Sequence, residues 1–200
     1  MYLEKLRLDS RVAVVTGGGR AIGPASSTAP AEAGATVVIA DVDPAVAASG
    51  QAELRKLGLD AETVQMDVTN SRQVTEVADQ LVARHGCVDI LVNNAGIARS
   101  GTAGEEVSDE LWLNVNDVNY NGVFWCCRAF GKHMLKARKG SVVNIGSMSG
   151  YIVNRPQKQA YYNASKAAVV SLSVTLYVEL RAARIGVTVA CPMFFPSTTA

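Results

Sequence analysis

Six short strand-like runs, the first five each followed by a turn signal and a stretch of helical composition, constrain this chain more than any other feature. Arg11 to Thr16 reads RVAVVT and is closed by Gly17-Gly18-Gly19, and Thr36 to Asp41 reads TVVIAD after Gly34. Such unbroken apolar runs suit strands buried on both faces. Ala61 to Asp67, Val88 to Val92, Ser141 to Ile145 and Val187 to Ala190 continue the series. Between them, Ala45 to Leu57 is helical in composition. Arg72 to Arg84 spaces Val74, Val77, Ala78, Leu81 and Val82 along one helical face. Leu111 to Ala137 predicts one long helix and Pro156 to Arg184 another helical stretch. The alternation predicts an α/β fold, a doubly wound parallel sheet with right-handed crossovers and its ligand groups at the carboxyl ends of the strands. Pro24 and Pro30 fall where the first crossover helix should run, from about Arg20 to Ala33. Pro24 fits a first turn, but Pro30 removes an interior hydrogen bond, so a kinked or late-starting helix is expected.

Two hundred residues with 48% hydrophobic and 18% charged content match a single domain, 1–200, with a sizeable core. The net charge of +1 gives no strong field toward nucleic acid or anionic lipid, which leaves a small molecule as the expected partner. Met1 to Arg7 mixes charges with apolar residues and lacks the apolar stretch of a signal peptide or membrane span, so a cytoplasmic location is expected. Cys87, Cys126, Cys127 and Cys191 have no C-x-x-C spacing, and His85 and His133 do not cluster with them. Neither a metal site nor a disulfide framework is indicated.

Thr16-Gly17-Gly18-Gly19-Arg20-Ala21-Ile22-Gly23 sits where the first strand should turn into the first helix. Glycines there let backbone N–H groups approach phosphate, and the helix N-terminus favours negative charge. No Gly-Lys-Ser/Thr follows, which excludes a triphosphate loop. At the end of the second strand Asp41 is placed to accept hydrogen bonds from an adenosine ribose and to repel a 2′-phosphate, favouring NAD over NADP against the dissenting charge of Arg20. Asp67-Val68 closes the third strand and Asn93-Asn94-Ala95-Gly96 the fourth, adding groups suited to adenine and the second ribose at the same sheet edge. Tyr162 and Lys166 lie one helical turn apart, so phenol and ammonium leave the same face. An ammonium at ~4 Å in an effective dielectric of ~20 offers about 4 kcal/mol to a phenolate, enough to make a proton acceptor for an alcohol or carbonyl.

With Thr-Gly-x-x-x-Ala-x-Gly, Asn-Asn-Ala-Gly, a strand-end serine and Tyr-x-x-x-Lys in order over nearly its whole length, the chain resembles the short-chain dehydrogenase/reductase family. The stretch from Gly146 to Gln157 is most similar to the branch acting on polyols such as galactitol, sorbitol and arabinitol. The resemblance implies a Rossmann-like fold, an NAD(P)-dependent oxidoreductase acting on CH–OH groups, and a homo-oligomer. Carried over residue by residue, the family's tetrad falls on Asn119, a serine after the fifth strand, Tyr162 and Lys166. Ser147 follows that strand directly and is chosen, although Ser149 has the commoner spacing to the tyrosine. The cofactor would be held by Gly17, Arg20, Ala21, Ile22, Gly23, Asp41, Asp67, Val68, Asn94, Ala95, Gly96, Tyr162, Lys166, Pro192, Phe195 and Ser197. Ser147, Ser149, Asn154 and Tyr162 would hold the substrate.

The implied reaction passes the substrate proton to Tyr162 and a hydride to the nicotinamide, with Lys166 also reaching the nicotinamide ribose. The chain departs from the family pattern where Met193 replaces a glycine and Ser197 a threonine. Six strands are expected, without the family's substrate lid and C-terminal strand; in the family the last helix and strand commonly form half of the tetramer interface. NAD-dependent oxidation of a polyol, or the reverse ketone reduction, is the leading expectation. An NADPH-dependent 3-oxoacyl thioester reductase and a non-catalytic dinucleotide-binding scaffold are the alternatives.

Overall fold

The computed structural model describes residues 3–98, 101–153 and 155–193. Six parallel strands form one sheet: β1 (Val12–Thr16), β2 (Thr36–Asp41), β3 (Glu62–Gln65), β4 (Ile90–Asn93), β5 (Gly140–Ile145) and β6 (Ile185–Ala190). Their spatial order is β3-β2-β1-β4-β5-β6. Chain direction from β1 diverges both ways, so the crevice above the β1/β4 boundary is the topological switch point. Every strand ends at that edge, which brings together residues as distant in sequence as Thr16, Asp41, Asn93 and Ile145.

Helices α1 (Gly23–Glu32), α2 (Pro44–Lys56), α3 (Ser71–His85), α4 (Asp109–Asn116), α5 (Gly122–Ala137) and α6 (Ala160–Leu180) cover the sheet. Ala13, Val15, Val37 and Ile39 pack with Ala47 and Leu54 of α2 on one face. Val14, Val38, Leu91 and Val142 pack with Leu81, Phe130, Met134 and Val169 from α3, α5 and α6 on the other. This two-sided burial is the reason β1 and β2 read as unbroken apolar runs rather than alternating ones.

Local chemistry sets the helix starts. The side chains of Asp43, Asn70 and Ser108 accept from the backbone N–H groups of Ala45, Gln73 and Leu111, capping α2, α3 and α4. Helix α1 starts late, at Gly23, with Pro24 in its first turn, and remains helical through Pro30 to Glu32. The third strand is shorter than Ala61 to Asp67, since Met66 and Asp67 already turn away to line the crevice. The long helix expected over Leu111 to Ala137 is interrupted: a π turn, Asp117–Asn121, separates α4 from α5. Composition carries no sign of that extra residue per turn, because Asp-Val-Asn-Tyr-Asn is compatible with either winding. The last helical stretch begins at Ala160 rather than Pro156.

Candidate active site

The crevice at the switch point is a cleft of about 310 Å³. Thirteen residues assigned to it from sequence line it: Gly17, Arg20, Ala21, Ile22, Asp41, Asp67, Val68, Asn94, Ala95, Gly96, Tyr162, Lys166 and Pro192. Gly17 turns with φ +61°, and a Cβ on it would come 2.8 Å from the Ala95 Cα, so both its conformation and its room require glycine. Ala21 holds a left-handed φ of +54° without that freedom, a strained position of the kind that clusters at ligand sites. Gly23 is not among the lining residues. It is buried at the start of α1, where its missing side chain lets the helix close onto Gly17 and Gly18.

Asp41 is 5% exposed; its Oδ1 accepts from Asp43 N at 3.1 Å, and Oδ2 has no hydrogen-bond partner among the described residues. A carboxylate acceptor therefore faces the cleft at the end of β2, and Arg20 also lines that cleft. Asp67 is partly committed already, since its Oδ1 accepts from the N–H and hydroxyl of Thr69. Asn94 is a clasp: its Nδ2 donates to the carbonyls of Thr16 and Gly17 at 3.0 and 2.7 Å. The Thr16 hydroxyl oxygen accepts in return from Asn94 N and Ala95 N at 3.1 and 3.0 Å. This reciprocal set ties the glycine turn to the end of β4 and uses the amide nitrogen of Asn94 on the protein. Thr16 was legible only as part of the glycine motif; its bracing role needed the β1/β4 adjacency.

Tyr162 and Lys166 do project from one face of α6 into the cleft, with Lys166 Nζ 5.9 Å from the centre of the Tyr162 ring. Lys166 is 5% exposed and donates to the Ile145 carbonyl at 2.7 Å. Burial pushes its amine down to about 8, partly offset by the Cys191 sulfur. Asn119 is fully buried within the π turn. Its Oδ1 accepts from Ile97 N at 2.8 Å, and its Nδ2 donates to Ile97 O at 3.0 Å and Ser165 Oγ at 3.1 Å. Ser165 Oγ donates in turn to the Tyr162 carbonyl at 2.8 Å. One carboxamide thus braces the segment after β4 against the first turn of α6.

Ser147 and Ser149 are both buried just beyond β5, with Ser147 Oγ accepting from Ser149 N at 3.1 Å. Gln159 Nε2 donates to Ser149 Oγ at 3.4 Å. Neither serine is among the lining residues of the cleft. Asn154, Phe195 and Ser197 lie outside the described residues. The cleft also takes Ala40, Val42, Met66, Ile97, Ala98, Val118, Ile145 and Gly146, which sequence reasoning did not assign. Ala40 and Val42 could have been found as neighbours of Asp41. Ile145 could not, since it contributes a backbone carbonyl that any residue type would supply. Among the described residues no group of three or more His, Cys, Asp or Glu side chains could hold a metal, and no helix is long and apolar enough to cross a membrane.

A glycine turn, an acidic strand end and a Tyr-Lys pair around one crevice define an oxidoreductase site built for a dinucleotide. The fit is chemical: an acceptor for a ribose hydroxyl, N–H groups at a helix start and a buried ammonium occur along a single cleft. A family model described as short chain dehydrogenase matches residues 11–200, and the chain belongs to that family, whose members act on CH–OH groups. Galactitol 2-dehydrogenase of Rhizobium johnstonii is 49% identical over 178 residues, spanning 89% of this chain and 69% of the relative. The crystal structure of gox2181 superposes with a TM-score of 0.95 at 48% identity, covering 99% of this chain and 77% of that one. A gluconate 5-dehydrogenase from Burkholderia cenocepacia, crystallised with NADP and tartrate, gives 0.91 at 34% identity over 98% of this chain and 76% of that chain.

Proposed function

We propose that this protein oxidises a secondary hydroxyl of a polyol, with galactitol as the first substrate to try, using NAD, and catalyses the reverse ketone reduction. The observation that carries the reading is the entry of Tyr162 and Lys166 into the same cleft as the glycine turn and Asp41. Identity to a galactitol 2-dehydrogenase supports the substrate class. Bound NAD would supply the hydride acceptor. Gly17, Ala21 and Ile22 would receive the diphosphate at the start of α1, and Asp41 Oδ2 would accept from the adenosine ribose. Tyr162 Oη would take the substrate proton. Lys166 would hold its charge beside that phenol and reach the nicotinamide ribose. Ser147 would hold the substrate oxygen after a shift of its hydroxyl, a bond that strengthens as charge develops there. Asn119 would keep the Tyr162 turn in place.

Absorbance at the reduced-nicotinamide band tests this with NAD and NADP separately against galactitol, sorbitol and xylitol, and with NADH and NADPH separately against a 3-oxoacyl thioester. Turnover of a polyol with NAD is expected. Reduction of the thioester with NADPH alone would move the chain to the other reductase class, and dinucleotide binding without turnover of any substrate would leave a scaffold. Asp41→Ser should lower the preference for NAD over NADP by about ten-fold or more, since one charge-assisted hydrogen bond is worth about 1.5–3 kcal/mol. An unchanged ratio would show that the charge at this strand end does not select the dinucleotide.

A further inference from the structure

Beneath the cleft a polar cross-link runs through the apolar core. Asn93 and Asn144 are direct partners at the ends of β4 and β5, and both turn toward the face covered by α5 and α6. Asn144 is completely buried and Asn93 is 1% exposed. Asn93 Nδ2 donates to Asn144 Oδ1 at 2.8 Å and to Cys127 Sγ of α5 at 3.3 Å. Asn144 Nδ2 donates across to Ser173 Oγ of α6 at 2.9 Å, and Ser173 Oγ donates to the Val169 carbonyl at 2.7 Å. A pair of apolar side chains would fill this space without the cost of burying four polar groups. Hydrogen bonds add what packing alone does not, a fixed register between elements.

The register matters because of what stands next to it. Ile145, the residue after Asn144, offers the carbonyl that receives Lys166 Nζ. Ser173 lies two turns beyond Lys166 on α6, so the two cross-links to β5 fall on the same side of the helix. We infer that Asn144, acting through Ser173, is a positioning residue that fixes how far α6 stands along β5 and so where the Lys166 amine sits. The inference rests, for its catalytic consequence, on the reading of Lys166 as partner of Tyr162.

The test uses Ser173→Ala, which removes the acceptor and keeps a good helix former, with Ser173→Cys as a nearly isosteric second variant and Ser173→Thr as the variant that restores a hydroxyl. Protein labelled with ¹⁵N-lysine reports the Nζ resonance of Lys166, assigned by its loss in Lys166→Arg. In the Ala and Cys variants this resonance should move toward that of solvated lysines, and the Thr variant should recover much of the shift. For oxidation of galactitol with NAD, kcat should fall by about ten-fold with the KM for NAD within about two-fold, the pattern of misplacement rather than lost binding. An unmoved Nζ resonance in whichever of the Ala and Cys variants folds overturns the positioning role. The resonance needs no substrate, so the two ideas separate. A shifted resonance with Lys166→Met as active as the parent would retain the positioning and sink the catalytic reading. An inactive Lys166→Met beside unchanged Ser173 variants would do the reverse.

Discussion

Tyr162 carries the proton transfer in the proposed reaction, so Tyr162→Phe should abolish turnover while leaving NAD affinity within about two-fold, because the ring still fills its place on the wall. Stopped-flow rates beside a binding titration would check both, and a variant with half the parent rate would remove Tyr162 from the mechanism. Lys166 makes a second, thermodynamic statement. Burial brings its amine from 10.5 to about 8 in the folded state. Below pH 8 both folded and unfolded chains hold the proton, and the full cost of burying the charge is present. Between about 8 and 10.5 the folded chain releases the proton first, so the contribution of Lys166 to stability rises with pH across that window by about 3 kcal/mol. Lys166→Met should therefore melt higher than the parent at pH 7, with the gap closing toward pH 10. Calorimetry at three pH values would expose an error as a constant gap.

At the level of helices and strands, the glycine turn is held from behind as well as from β4. A Cβ on Gly50 of α2 would lie 2.7 Å from the Gly19 Cα and 3.1 Å from the Gly18 carbonyl oxygen, so helix and turn touch backbone to backbone. Gly50→Ala gains up to about 1 kcal/mol of helix propensity but overpacks a rigid contact, which costs about 1–3 kcal/mol. A net loss of about 1–2 kcal/mol in urea unfolding is expected, together with weaker dinucleotide binding as the turn is displaced; a neutral substitution would show that α2 can slide. Neither contact was legible in the sequence, where Gly50 is one small residue in a helical stretch. What was legible is whatever depends on local pattern: the apolar runs of β1 and β2, the apolar face of α3, and the lining residues that sit at strand ends. The π turn at Asn119, the clasp of Thr16 with Asn94 and the Asn144 cross-links depend on adjacency between distant segments, and residue type alone does not encode it.

For the molecule as a whole, the four thiols report how evenly the core closes. Cys126 and Cys127 are buried on α5, and burial pushes both upward, Cys127 to about 12. Cys87 and Cys191 are only partly covered. A thiol reagent at pH 8 should titrate at most two groups in the native protein and four after unfolding; rapid reaction of a third would mean that α5 detaches from the sheet under native conditions. The brace at Asn119 has a bearing on traffic through the cleft. Because both backbone hydrogen-bonding groups of Ile97 are fastened to one buried carboxamide, that rim is a doorpost and not a door. Release rates of a dinucleotide should therefore be insensitive to surface changes on the Ile97 side.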